Sequence, residues 1–197
     1  MSSVFKCFAI GSLLLCCSLG ARAQAVKVNL PLWLAGSPNA GIEWTMGSQF
    51  TVNGEVLWMP YMFKQHEEVF RALVTSVDFR YYIAPPYYYT DDSWDGFYVG
   101  PYALYGEFNV GLFKKKAAEN FRNAGWGVSG GISTGYKFYL SPRFRVDVNI
   151  GIGYAHLQYD KFLLGGEYRD YPLESKITKV WIGPTKFGVH LVYSLFR

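Results

Sequence analysis

Residues 144–154 alternate between two kinds of side chain with a period of two. Phe144, Val146, Val148, Ile150, Ile152 and Tyr154 fall on one face, and Arg145, Asp147, Asn149, Gly151 and Gly153 on the other. Successive side chains of a strand point to opposite sides, so the pattern predicts a strand with one apolar face and one polar or small face. A soluble sandwich suits neither face. Its core would bury Arg, Asp and Asn at high cost, or its surface would hold a row of large apolar groups in water. Lipid outside and a polar interior satisfy both faces, as in a transmembrane β-barrel.

The same alternation recurs along the chain. Trp126, Val128, Ile132, Tyr136, Phe138 and Leu140 oppose Gly127, Ser129, Gly131, Ser133, Gly135 and Lys137, and the turn Ser141-Pro142-Arg143 joins this segment to the next as a hairpin. The last segment places Trp181, Thr185, Phe187, Val189, Leu191, Tyr193 and Leu195 outward, with Lys186, Gly188, His190 and Ser194 inward. Earlier outward sets are Val26, Val28, Leu30 and Leu32; Ile42, Trp44 and Met46; Phe50, Val52, Val56 and Trp58; Leu73, Val77, Phe79, Tyr81 and Ile83; and Tyr98, Tyr102, Leu104, Phe108 and Val110. The fold class expected is all-β: an eight-stranded antiparallel transmembrane β-barrel with both ends on the periplasmic side. Short turns fall at 47–49 and 141–143, and outer loops at 60–71, 111–125 and 160–179. Residues 84–95 form a longer periplasmic connection, with Pro85-Pro86-Tyr87-Tyr88-Tyr89 as an interfacial aromatic cluster.

The inward positions define a candidate network. Lys27, Arg80, Lys137, Arg145 and Lys186 are its cations, Glu43, Glu55, Asp78, Glu107 and Asp147 its anions, and His190 a further polar member. An eight-stranded barrel is only wide enough for its own side chains, so these groups are expected to pair across a filled, formally neutral polar lumen.

The N-terminus adds a compartment. Lys6 precedes an apolar run from Phe8 to Leu19, and Ala21-Arg22-Ala23 offers a small-x-small cleavage site before Gln24. Residues 1–23 therefore read as a cleaved signal peptide, and 24–197 as one outer-membrane barrel domain of a Gram-negative bacterium. Cys7, Cys16 and Cys17 all lie in the leader, so the mature chain has no thiol for a disulfide, a metal or nucleophilic catalysis. Without Lys6 and Arg22 the formal charge falls from +4 to +2, and no long basic run invites nucleic acid. Aromatics at 19% and twenty-one glycines fit a barrel better than an ordinary soluble domain.

Candidate chemistry is sparse. His156 projects outward near the outer rim, where a lipid-modifying barrel enzyme would place a base, yet Thr185 is the only nearby hydroxyl. His66 sits in the charged loop Lys64-Gln65-His66-Glu67-Glu68. Asp91-Asp92-Ser93-Trp94-Asp95 lacks the glycine and closing glutamate of a calcium loop and reads as a solvated turn. Lys114-Lys115-Lys116 could meet anionic head groups. No catalytic, metal or cofactor site is expected. The partner expected is outer-membrane lipid, with a surface or periplasmic protein a further possibility for the loops. The function expected is a structural or surface-interaction role without catalysis; a lipid-modifying enzyme and a narrow pore are the alternatives.

Four stretches carry a resemblance. They are Val28-Asn29-Leu30-Pro31-Leu32-Trp33 with 37–43, Asp78-Phe79-Arg80-Tyr81, Gly151-Ile152-Gly153-Tyr154-Ala155-His156-Leu157 with 159–161, and Gly183-Pro184-Thr185-Lys186. In this order they resemble a Bacteroidetes-type outer-membrane β-barrel family, catalogued as a domain of unknown function (number 3575). The resemblance implies the barrel and supplies no activity. The chain departs from the usual terminal aromatic by ending Leu195-Phe196-Arg197.

Overall fold

The computed structural model describes residues 25–46, 49–63, 68–83, 95–111, 121–163 and 171–195. Eight strands follow one another: β1 (Ala25–Asn29), β2 (Asn39–Met46), β3 (Phe50–Phe63), β4 (Glu68–Tyr82), β5 (Gly96–Gly111), β6 (Phe121–Tyr139), β7 (Phe144–Leu163) and β8 (Pro172–Ser194). Each pairs antiparallel with the next, and β1 pairs with β8, so one sheet closes into a ring. Closure leaves no free edge where the ring is complete. Among the described residues no helix is long and apolar enough to cross a membrane.

The outer and inner faces differ as alternation requires. Val77, Phe79, Ile132, Phe138, Ile150 and Ile152 are exposed on the outside. Lys27, Glu43, Asp78, Arg80, Lys137, Arg145, Asp147 and His190 are buried inside, each at most 4% exposed. Charged residues are almost never so buried unless paired.

Four features depart from the sequence reading. First, β1 stops at Asn29, and Leu30–Leu34 form a short helix, α1, instead of continuing as strand. Pro31 sits in its first turn, where it has no needed N–H to lose, and Ser37 N closes back onto Leu32 O at 2.8 Å. Second, the outer connections are shorter than expected, because β3, β4, β6, β7 and β8 run into 60–63, 68–71, 121–125, 160–163 and 172–179. Third, β5 is turned by one residue. Tyr98 and Tyr102 are buried inside, while Phe97, Pro101 and Ala103 are exposed outside. Because the strand period is two, a shift of one residue moves every side chain to the other face. Fourth, a bulge interrupts β7–β8 pairing: Gly151 opposes Lys186, but Ile152 opposes Pro184. The extra residue, Thr185, turns inward to the Tyr102 hydroxyl, and Trp181 then shares the face of buried Ala155.

The wall is uneven in height. β1 meets β8 only from Ala25 opposite Ser194 to Asn29 opposite His190, and β2 meets β3 only from Met46 opposite Phe50 to Asn39 opposite Leu57. Among the described residues, β3 beyond Leu57 and β8 before His190 thus have a strand partner on one side only. α1 and residues 35–38 occupy the foot of this gap, with Trp58 N donating to Pro38 O at 2.9 Å.

Candidate functional site

The interior is a layered set of ion pairs joining strands across the ring. Arg80 on β4 places Nη1 2.9 Å from Asp147 Oδ2 on β7 and 3.6 Å from Glu43 Oε2 on β2. Lys137 on β6 holds the other Glu43 oxygen, while Lys186 on β8 holds Asp78 on β4. Lys27 on β1 lies 3.5 Å from Glu55 Oε2 on β3. Neutral neighbours add to the shell. Tyr98 donates its hydroxyl to Asp147 Oδ1 at 2.6 Å, and Asn53 donates Nδ2–H to Asp78 Oδ2 at 2.8 Å. The Arg80 guanidinium lies over the Tyr98 ring, 4.4 Å from its centre. Buried ions need this density of partners, because desolvation otherwise exceeds their attraction.

His190 is fixed by the same logic. Its Nε2 lies 3.0 Å from Glu55 Oε1 and its Nδ1 3.2 Å from Asn149 Nδ2. A carboxylate only accepts, and the side-chain amide nitrogen only donates. Nε2–H therefore donates to Glu55, and Nδ1 accepts from Asn149.

Ten of the eleven network residues expected from the sequence are brought together in this interior: Lys27, Glu43, Glu55, Asp78, Arg80, Lys137, Arg145, Asp147, Lys186 and His190. Glu107 is not among them. It stands opposite Leu73 and Trp126, both exposed, so it faces outward, where the Tyr105 hydroxyl donates to it at 3.0 Å. The cause is the turned β5 strand. Asp95, read from sequence as part of a solvated turn, takes the vacant role. It is 3% exposed and accepts from Arg145 Nε at 2.7 Å. The exchange keeps five cations facing five anions. The signal for it was the unmatched Arg145, since a buried guanidinium demands an acid and β5 begins one residue after Asp95.

Above the ion pairs the interior changes character. A cavity of about 310 Å³ is walled by β4 to β8, with Ala72, Val74, Leu104, Phe108, Leu157 and Trp181 among the side chains around it. Tyr102 marks the boundary. Its hydroxyl pairs with Thr185, which lines the cavity, while its ring lies 5.7 Å from Lys186 Nζ in the ionic layer.

The enzyme candidates are not assembled. His156 packs outside against Trp126, ring centres 6.2 Å apart, whereas Thr185 is engaged with Tyr102 inside. No group of three or more His, Cys, Asp or Glu able to hold a metal occurs among the described residues. The leader, the 85–89 aromatic cluster, His66, residues 91–94 and Lys114–Lys116 lie outside the described residues.

No curated protein and no solved structure matches the chain. A family model does match, over residues 7–195, covering all eight strands, the ionic interior and the cavity above it. The chain belongs to the family described as Protein of unknown function (DUF3575).

Proposed function

We propose that the protein is an integral barrel of the Gram-negative outer membrane, exported by residues 1–23, with a structural or surface-interaction role and a sealed lumen. The observation that carries this reading is the inversion of faces: ionised groups are buried inside while Val, Ile, Leu and Phe side chains are exposed outside. Water gives no reason for such an exterior, and hydrocarbon does. Aromatic pairs at the turn end, Phe50 with Tyr81 and Phe144 with Tyr193, lie 5.1 and 5.2 Å apart, and Trp58, Trp126 and Tyr154 stand exposed farther up. The eleven residues from Phe144 to Tyr154, ten rises of about 3.4 Å each at a tilt of about 40°, climb ~26 Å, the height of an outer-membrane apolar band.

The filled lower lumen favours a sealed barrel over a narrow pore. Arg80, Tyr82, Tyr98, Asp147 and His190 are each at most 1% exposed there. Detergent-extracted protein is expected to run with heat-modifiable mobility in SDS gels and to give no steady conductance in planar bilayers. Extraction without detergent, with one gel position before and after boiling, would overturn the membrane reading. A steady conductance would overturn the seal.

A further inference from the structure

We infer that the gap between β3 and β8 is a lateral doorway through which one acyl chain of a membrane lipid enters the cavity above the ionic layer. This rests on the membrane reading above and deepens it.

The doorway follows from strand lengths. β1 has five residues and β2 eight, against 23 in β8, so among the described residues the ring lacks two strands above the row from His190 through Asn29 and Asn39 to Leu57. The exposed side of β8 begins at Val189, opposite Val148, and reaches Ile182, opposite Tyr154. That span lies within the apolar stretch Phe144–Tyr154, so the gap opens at the height of lipid tails. Open sheet edges are avoided in hydrocarbon unless something covers them or they border a cavity. The edges here carry a mark of that constraint. Trp58 N points toward the gap side, to Pro38 O, and Pro60, two residues on with the same orientation, has no N–H to leave unpaired there.

The cavity has the matching shape and chemistry. Among the described residues, none that lines it belongs to α1, β1, β2 or β3, so it is unwalled on the side of the gap. Most of its lining is small or apolar, with Ala72, Gly106, Gly127 and Ala155 making room among larger side chains and Ser129 and Thr185 adding two hydroxyls. At about 310 Å³ it falls at the small end of ligand pockets, room for part of one acyl chain, and its mostly apolar lining suits hydrocarbon better than a head group. The sill is apolar too: Leu30, Trp33 and Leu34 of α1 are exposed beside the opening. The occupant is thus the hydrocarbon that adjoins the doorway. Among the described lining residues Glu107 alone is charged, and it faces outward, so a free polar solute would meet no charged partner on the inward face.

The test uses the full mature barrel in phosphatidylethanolamine–phosphatidylglycerol vesicles, doped with phosphatidylcholine bearing a diazirine near the end of one acyl chain. After illumination, adducts are mapped by mass spectrometry. Adducts on inward Leu104, Phe108, Leu157 or Trp181, alongside those on outward Ile150 and Ile152, are expected. Ala155→Phe and Ala72→Phe, each filling the cavity, should cut the inward adducts at least five-fold and spare the outward ones, with gel mobility reporting that each variant is folded. Outward adducts alone, or inward adducts unchanged by both folded variants, would overturn the doorway and leave the membrane reading standing. Failure of the protein to float with the vesicles would overturn both.

Discussion

Arg80 and Asp147, 67 residues apart in sequence, meet across the ring with Nη1 2.9 Å from Oδ2, and neither side chain is more than 1% exposed. Their pair ties β4 to β7, strands that share no ladder. Removing one partner strands the other in a dry interior. Asp147→Leu is expected to cost about 3–5 kcal/mol, because the carboxylate then left paired with Arg80 is Glu43, at 3.6 Å. Arg80→Met with Asp147→Leu together should recover much of that loss, a coupling of about 1–3 kcal/mol. Urea titrations in detergent, followed by gel mobility, measure both. Equal midpoints for Asp147→Leu and the unsubstituted protein would remove the pair from the stabilising set.

Asp95 and Glu107 make a second comparison, since both are acids of the β5 region and only one faces in. Asp95→Asn should cost about 3 kcal/mol by leaving the Arg145 guanidinium without its anion. Glu107→Gln should stay within about 0.5 kcal/mol, because it faces outward and its amide oxygen still accepts from Tyr105. The reverse order of costs, read from the same urea titration, would put β5 back in the other register.

That contrast shows where the sequence was legible. β6 and β7 display unlike faces, Gly, Ser, Asp and Asn against Trp, Ile and Phe, so inside and outside separate on inspection. β5 offers Tyr98, Tyr102, Leu104 and Phe108 on one face and Phe97, Val99, Pro101 and Tyr105 on the other. Both look apolar by residue type. What decides is the tyrosine hydroxyl, which needs a buried acceptor, and Asp147 supplies one only once the ring has closed. The bulge at Thr185 was hidden for a related reason: an inserted residue reverses the phase of the alternation, but Val180, Trp181 and Ile182 before it are apolar in either phase. The cavity depended on both misread strands and on α1, which the apolar alternation of Val28, Leu30 and Leu32 disguised as strand.

An outward His156 packed at a tilt against Trp126, with the hydroxyl of Thr185 committed inside, lacks the geometry for acyl transfer between them. Lipid A from cells carrying the protein should therefore give the same mass profile as lipid A from cells without it, and His156→Ala should change nothing. A deacylated species that appears with the protein and disappears with His156→Ala would make it an enzyme.

Two adjacent glycines on β6 separate packing from propensity. A methyl group added to Gly131 would sit 2.1 Å from Ile152 O and 2.5 Å from Gly153 Cα, both backbone atoms of the neighbouring strand. Backbone in a closed ring has nowhere to move, since β7 is held on its far side by β8. At Gly130 the nearest atom is Tyr102 O at 3.5 Å, an ordinary contact, and the residue faces outward. Gly130→Ala should therefore be neutral or stabilise by about 0.5–1 kcal/mol, through the lower freedom of the unfolded chain. Gly131→Ala should destabilise by about 1–3 kcal/mol as an overpacked interior does. The measurement is the urea midpoint of each variant. If both shift alike, the close approach of β6 and β7 at Gly131 does not constrain the barrel, and the inward glycines there serve only to leave space.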